Sequence, residues 1–336
     1  MPELSILLIV IVVVALAFDF TNGAHDCANA IATVVSTKVL SPRKAVIMAA
    51  TLNLAGAFLG TEVAETVGKG IVRPEMITGC QLIVLAALVG AIIWNILTWY
   101  LGIPSSSSHA LVGGLMGAAV AYNGWDTLNY DSIVFKVVLP LFLSPLGGLL
   151  AGSIFMLLLA WSIHLMNPRH ASFLFRKLQI LSSAFMATSH GMNDAQKTMG
   201  IITLALFLGH FIPAVVVPMW VKISCALIMG LGTIVGGWKI IKTMGHKIFK
   251  LEPVHGFAAE TSAALVITAA SHFGAPISTT HVISASVMGV GSAKRLTAVR
   301  WGVAGNLLVA WVLTIPCSAT LAALFFLLFE LAGLVS

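Results

Sequence analysis

Long stretches without a single charged residue constrain this chain more than any other feature of its sequence. Residues 76–125, 137–168, 198–221, 261–293 and 301–329 contain no Asp, Glu, Lys or Arg. Only 9% of the 336 residues are charged and 59% are hydrophobic, too little polar surface for a water-soluble protein. A helical span needs roughly 20 apolar residues, so the length predicts about ten crossings, short loops and no enzyme domain outside the membrane.

The remaining composition excludes several other classes of protein. The net charge of +6 is best explained by basic cytoplasmic loops, and no Lys/Arg run with interleaved aromatic residues indicates nucleic-acid binding. The four cysteines lie in apolar contexts without metal-ligand spacing and predict neither disulfides nor zinc. Residues 1–18 lack a basic flank, so we expect a first membrane span there and not a cleaved signal.

Two motifs occur twice, in the same order and at nearly the same spacing. Gly23–Asn29 (GAHDCAN) matches Gly191–Lys197 (GMNDAQK), and Pro104–His109 (PSSSSH) matches Pro276–His281 (PISTTH). Self-similarity of this kind indicates a duplicated chain.

The loop charges predict that the two copies have opposite orientations. Basic loops tend to stay in the cytoplasm, and the acidic loop with Asp126 and Asp131 corresponds to a basic loop in the second copy. We therefore expect an all-α integral membrane protein built as an inverted-repeat transporter, with discontinuous helices or re-entrant hairpins and both termini outside. Its five-span halves are residues 1–165 and 178–336, joined by a basic cytoplasmic connector at 166–177.

A carboxylate lies within apolar sequence at the same place in each copy, as Asp26 and Asp194. Burying a bare carboxylate in hydrocarbon costs at least about 2.5 kcal/mol, so an intramembrane acid indicates function. Adjacent glycines predict locally unwound backbone, and adjacent amides add oxygen ligands. The predicted coupling-ion site, for Na+ at the two acids or for a proton, comprises Asp26, Asp194, Asn22, Asn29 and Asn193. Alternatively, each acid only caps a broken helix or pairs with Lys197.

Each proline-led motif places hydroxyl groups directly before an apolar helical run. The free N–H groups and positive dipole end of a helix start favour an anion, and hydroxyls add neutral donors. Two such starts meeting at the repeat interface predict an oxyanion site formed by Ser106, Ser107, Ser108, Ser278, Thr279 and Thr280. Ordinary N-capping is the alternative.

Gln196 and Lys197 are further candidate ligands of the anion because they directly follow the second acidic motif. Lys197 is also spaced to pair with Asp194 on one helical face, and the sequence does not separate these two roles.

Four more side chains are candidates for supporting roles. His109 and His281 follow the hydroxyl runs at identical spacing, where they either donate to the anion and respond to pH or simply pack. Glu65 and Glu260 lie at span edges, where a solvated loop charge is the default interpretation.

These motifs resemble those of the inorganic phosphate transporter (PiT) family over nearly the whole chain. The resemblance implies a cation-coupled symporter of inorganic phosphate in the cell membrane, coupled to Na+ or H+. In the family, the acids and amides bind the coupling ion and the hydroxyl-rich helix starts bind the oxyanion. It also gives Glu65 and Glu260 a larger role, since they match acidic positions that the family relies on.

One departure from the family concerns the coupling ion. His25 stands where the family's first copy usually has Asn, which favours proton coupling over a neutral sodium ligand. The expected partners are the bilayer, phosphate and the coupling cation, and no cofactor is expected. The sequence does not decide whether the protein forms a homodimer. The alternative function is a sulfate or broader oxyanion permease of the same fold. The sequence lacks the repeated pore-lining rings that are typical of an ion channel, which disfavours a channel. Ser108 and His109 are adjacent and therefore point in different directions on a helix, which disfavours an intramembrane hydrolase.

Overall fold

The structure is a computed structural model that describes residues 6–77 and 80–334. Residues 1–5, 78–79 and 335–336 lie outside the described ranges, and so does the predicted external position of residues 1–5. Regular structure in these ranges is helical, with three short 3-10 segments and two π-helical segments, Val134–Val138 and Thr243–Lys247. The α-helices are α1 Ile6–Ser36, α2 Pro42–Gly56, α3 Glu62–Gly70, α4 Leu82–Leu101, α5 Ser107–Asn123, α6 Tyr130–Ile133, α7 Leu139–Ile163, α8 Pro168–Leu208, α9 Met219–Val235, α10 Trp238–Lys242, α11 Pro253–His272, α12 Thr279–Lys294 and α13 Trp301–Leu331.

Four helical segments among the described residues are long and apolar enough to cross a membrane, namely Ile6–Ser36, Leu82–Leu101, Tyr130–Ile163 and Trp301–Leu331. A fifth is reached if Met219–Val235 and Trp238–Lys247, bent by 63°, form one span. The protein is thus an all-helical, multi-pass membrane protein. By length and composition alone, the number of spans stays below the ten predicted crossings.

The acidic motifs lie in continuous helices, which corrects the expectation of unwound backbone beside Gly23 and Gly191. Asp26 is inside the 31-residue α1, and Asp194 is inside the 41-residue α8. The glycines allow close helix contact instead. A Cβ atom at Gly23 would lie 2.6 Å from the carbonyl oxygen of Met229 in α9, and one at Gly191 would collide with the backbone of Asn53 in α2.

The hydroxyl motifs form the turns of two helical hairpins. The chain leaves α4 at Gly102 with φ +68° and enters α5 at Ser107, and it passes Gly274 with φ +66° before α12. Positive φ values favour glycine, so the two copies use the same sharp turn. With 17 and 16 residues, α5 and α12 are shorter than a full crossing of about 20 residues.

The helices of the two halves pack in matching pairs. Helix α5, which follows the first hydroxyl motif, packs on α13 near the end of the chain, and the corresponding α12 packs back on α7. Likewise α1 packs on α9, and its counterpart α8 packs on α2. The halves are therefore interlocked, and the interface between them holds the acidic motifs and the hairpin turns. Most of the predicted connector 166–177 lies within α8, which continues without a break into the second acidic motif.

Candidate functional site

Polar side chains converge where the middles of α1 and α8 meet the beginnings of α5 and α12. These side chains are almost fully shielded from solvent: Asp26, Asn29, Ser107, Ser108, Asp194, Lys197, Thr279 and Thr280. Such a buried group of charges and hydroxyls is stable only if its members satisfy one another or bind a ligand.

The second acid is neutralised by a lysine. Lys197 Nζ contacts Asp194 Oδ1 and Ser108 Oγ, and it donates to the carbonyl oxygen of Ile277 at 3.0 Å. Thr279 Oγ1 donates to the other carboxylate oxygen of Asp194 at 3.0 Å. Lys197 therefore pairs with Asp194 and also reaches both hairpin turns.

The first acid has a different partner. His25 Nδ1 lies 2.5 Å from Asp26 Oδ1, and Thr280 Oγ1 donates to the same oxygen at 3.4 Å. The amide of Asn29 donates to Thr279 Oγ1 at 3.1 Å and to Thr280 Oγ1 at 2.9 Å. Both threonines of α12 are thus shared between an acid of the predicted ion site and Asn29.

The hydroxyl groups of each motif have two distinct uses. Ser106 Oγ accepts from the backbone N–H of His109 at 3.1 Å, and Ser278 Oγ accepts from that of His281 at 3.2 Å. These two serines cap α5 and α12, as the capping alternative describes. Ser107 Oγ has no hydrogen-bond partner among the described residues, so it is free to donate to a ligand.

The two histidines that follow the hydroxyl motifs pack together. The ring centroids of His109 and His281 are 4.9 Å apart, and His281 stacks on Trp311 at 4.0 Å. Both ring nitrogens of His281 and Nδ1 of His109 lack a hydrogen-bond partner within the described part of the chain. Their placement brings the starts of α5 and α12 together.

Two predicted site residues have their amides engaged elsewhere. Gln196 Oε1 accepts from the backbone N–H of Val63 at 2.8 Å, which caps the start of α3. Asn193 Nδ2 donates to Ser271 Oγ at 2.7 Å, beside the turn before α12, whereas its Oδ1 has no hydrogen-bond partner among the described residues.

The two glutamates occupy opposite environments. Glu260 is fully buried in α11, where its carboxylate contacts the hydroxyls of Thr33 and Ser182 and accepts from Gln179 Nε2 at 3.3 Å. It is therefore no solvated loop charge. The Glu65 side chain is 54% exposed and lies 3.8 Å from Lys69, as the default interpretation expects.

Two buried residues near this site, His190 and Asp19, lie outside the repeated motifs. His190 Nε2 lies 2.8 Å from Asp194 Oδ2, and its Nδ1 lies 3.1 Å from Asn53 Oδ1. Its position one helical turn before Asp194 was a usable signal. Asp19 is fully buried in α1, and an acid within apolar sequence was again the signal.

The combined geometry is suited to holding a cation and an anion side by side. Asp26, His190 and Asp194 offer ligand atoms that all lie within 4.8 Å of one another. Next to them, Ser107, Lys197 and the threonines of α12 present hydroxyl and ammonium donors at the helix starts. A polar site of this kind, buried among the packed helices of a multi-pass membrane protein, is typical of a membrane transport protein.

The chain belongs to the phosphate transporter family, whose sequence profile matches residues 22–322. It is 49% identical to a Bacillus subtilis protein named as a probable low-affinity inorganic phosphate transporter, over 96% of this chain and 97% of that one. A Rhizobium meliloti protein of the same name is 48% identical over 95% of each chain. A solved structure titled the sodium-dependent phosphate transporter is similar with a TM-score of 0.84 and 27% identity, covering 97% and 100%. These findings confirm the resemblance, and the protein is a transport protein and not an enzyme.

Proposed function

We propose that the protein is a cation-coupled symporter of inorganic phosphate in the cell membrane, with two inverted five-span halves and both termini outside. The observation that carries this proposal is the sharing of side chains between the two predicted sites. Thr279 contacts Asp194 and Asn29, and Thr280 contacts Asp26 and Asn29, while both threonines begin the helix that faces the anion. A cation at the acids and an anion at the helix start therefore share ligands, which makes their binding interdependent.

The anion end of the proposed site has the chemistry of oxyanion recognition. The starts of α5 and α12 provide backbone N–H groups, Ser107 and Ser108 provide hydroxyls, and Lys197 provides one positive charge. In this proposal Gln196 positions the surrounding helices, because both ends of its amide already have protein partners. Asn193 stays a candidate ligand of the cation, because its Oδ1 has no hydrogen-bond partner among the described residues.

Either Na+ or H+ fits the cation end. Carboxylate and amide oxygens of Asp26, Asp194, Asn22 and Asn29 are hard ligands of the type that Na+ takes. The imidazoles beside both acids, His25 and His190, can accept and pass on a proton, which supports H+. The solved relative titled as sodium-dependent supports the first choice, and His25 supports the second.

The experiment is phosphate uptake into proteoliposomes that contain the purified protein. An imposed Na+ gradient is used in one set, an imposed proton gradient in another, and excess sulfate is added to half of each. Accumulation driven by one gradient and resistant to sulfate would support the symporter and identify its cation. Uptake erased by sulfate would favour a broader oxyanion permease, and phosphate uptake unaffected by either gradient would refute coupling.

A homodimer is compatible with this proposal but is not needed to complete the site. Both hairpin turns and both acidic motifs come from a single chain, so each protomer of a dimer would transport by itself. Mixing active protomers with Asp26→Asn protomers should leave the uptake per active protomer unchanged.

A further inference from the structure

Asp19 is a buried acid that the proposed phosphate and cation sites do not use. It lies in α1 and is fully shielded from solvent. Thr198 Oγ1 donates to its Oδ1 at 2.8 Å, whereas its Oδ2 has no hydrogen-bond partner among the described residues. Nor does any described Lys, Arg or His lie within ion-pair distance of its carboxyl group.

The surroundings of Asp19 disfavour a negative charge. On α8, Asp194 is near enough to repel a second carboxylate, and Lys197 is already bonded to Asp194 and Ser108. On α9, the nearby titratable group is the thiol of Cys225, which is also buried. A third helix packed on α1, α4, has Tyr100 as its titratable side chain, and the ring of Tyr100 lies under Lys239 Nζ. One hydroxyl donor does not compensate for burying an unpaired carboxylate, so Asp19 is held as the neutral acid.

Asp19 also lies next to the proposed transport site. Residues 19, 22 and 26 are spaced to fall on one face of α1. The next side chain along this face, Asn22, likewise has an unpartnered buried oxygen, Oδ1. The hydroxyl bonded to Asp19 belongs to Thr198, the residue directly after Lys197. A protonated acid that contacts the same segment as the anion ligand is placed to respond to rearrangement of that segment.

We propose that Asp19 is a proton-carrying acid of the transport cycle, a role that rests on the proposed symport. In the conformation described here, its carboxyl O–H bond is intact. When the transport cycle opens this region to water on the side of the membrane where phosphate is released, the O–H bond breaks. The proton goes to water and a carboxylate stays behind. When the protein opens again to the side where phosphate binds, the carboxylate takes a proton from water on that side.

The test uses Asp19→Asn, which keeps the size of the side chain and mimics the neutral acid permanently. In proteoliposomes, we expect exchange of external for internal phosphate to continue, because it needs no net movement of the coupling proton. Accumulation of phosphate driven by a proton gradient should be lost. Cys225→Ser, which changes a buried neighbour of the same acid, is the matched control and should retain both activities.

A second measurement makes the test independent of transport. The infrared spectrum of the wild-type protein should contain the carbonyl band of a protonated carboxylic acid that is lost in Asp19→Asn and kept in Cys225→Ser. The inference is overturned if that band is unchanged in Asp19→Asn, or if this variant still accumulates phosphate with a proton gradient. It is also overturned if wild-type uptake responds to Na+ alone, a result that leaves the proposed symport intact. Absence of wild-type phosphate uptake would instead refute the proposed symport, while the band would still report on the proton at Asp19.

Discussion

The two acidic motifs occupy the same place in the duplicated chain, yet they are neutralised in different ways. Asp194 is held by Lys197, a permanent cation, and by His190. Asp26 instead contacts the imidazole of His25, and Asn29 stands where the second copy has Lys197. The duplication thus preserves the position of the acid while its charge balance has diverged. In the proposed symporter this difference would divide the roles of the two acids: Asp194 would hold the lysine that faces the anion, and Asp26 would bind the coupling cation.

The two glycine turns differ in a similar way. At Gly102, Thr243 Oγ1 donates to the glycine carbonyl at 3.0 Å, and Lys239 Nζ donates to the Tyr100 carbonyl at 2.9 Å. At Gly274, the corresponding Thr66 instead donates to its own helix, to the carbonyl of Glu62 at 3.3 Å. A polar cavity of about 490 Å³ borders this second turn. One turn is therefore tied to its neighbouring helix, and the other lines an opening.

The largest expected effect separates the two acids. Asp194→Asn leaves the buried ammonium of Lys197 without its counter-charge, which we expect to destabilise the protein by about 3–5 kcal/mol. Asp26→Asn should fold normally and lose coupled uptake, because its partner His25 is an imidazole, which needs no counter-charge when it is neutral. Thermal unfolding of the detergent-solubilised proteins, together with uptake, checks both.

A compensating variant provides the control for this comparison. Asp194→Asn combined with Lys197→Met removes both charges and should recover most of the lost stability without recovering transport. Equal stability losses for the two single variants would contradict the proposed division of labour.

The second largest expected effect distinguishes two hydroxyl groups of the proposed anion site. Ser107→Ala removes a hydroxyl with no protein partner, so it should weaken phosphate binding by about 1.5 kcal/mol, roughly tenfold, without changing stability. Thr279→Ala also removes bonds to Asp194 and Asn29, so it should reduce stability and coupling as well as affinity. Phosphate titrations and unfolding curves distinguish the outcomes. A stability loss in Ser107→Ala would show that this hydroxyl is structural.

A smaller effect concerns the residue at which the first copy departs from its family. His25→Asn gives this copy the amide that Asn193 supplies in the second, and it replaces an imidazole, which can carry a proton, by a side chain that cannot. We expect uptake at pH values from about 5 to 8 to depend less on pH and more on Na+. Uptake measured across this pH range, with and without Na+, gives the answer. A pH profile identical to wild type would exclude His25 from the coupling step.

The sequence is sufficient to locate the acids and hydroxyl turns, since each depends on a local pattern that occurs twice. It fails where a residue's role depends on a distant partner. Gln196 looks like a ligand beside Asp194, but its amide caps α3, more than a hundred residues earlier in the chain. Gly23 and Gly191 look like helix breakers, but they are contact points between helices. Glycine occurs in both situations, so the local sequence does not distinguish them. Glu260 looks like an edge charge until its hydroxyl partners from α1 and α8 are seen.

The smallest expected effect tests the difference between the two turns. Thr243→Val keeps the shape of the side chain but removes the hydrogen bond to Gly102, worth about 1 kcal/mol. Opening of residues 238–247 should then become roughly fivefold more frequent, which amide hydrogen exchange measures directly. Thr66→Val is the matched control: like Thr243, its hydroxyl donates within its own helix, and it accepts from Lys136 Nζ at 3.4 Å but makes no bond to the Gly274 turn. Exchange in residues 62–70 should therefore change less than exchange in residues 238–247. If the hydrogen bond from Thr243 to Gly102 restrains one side of the proposed transport site, Thr243→Val should also alter phosphate turnover more than Thr66→Val does. Equal exchange and turnover in the two variants would mean that the turns are mechanically equivalent despite their different bonding.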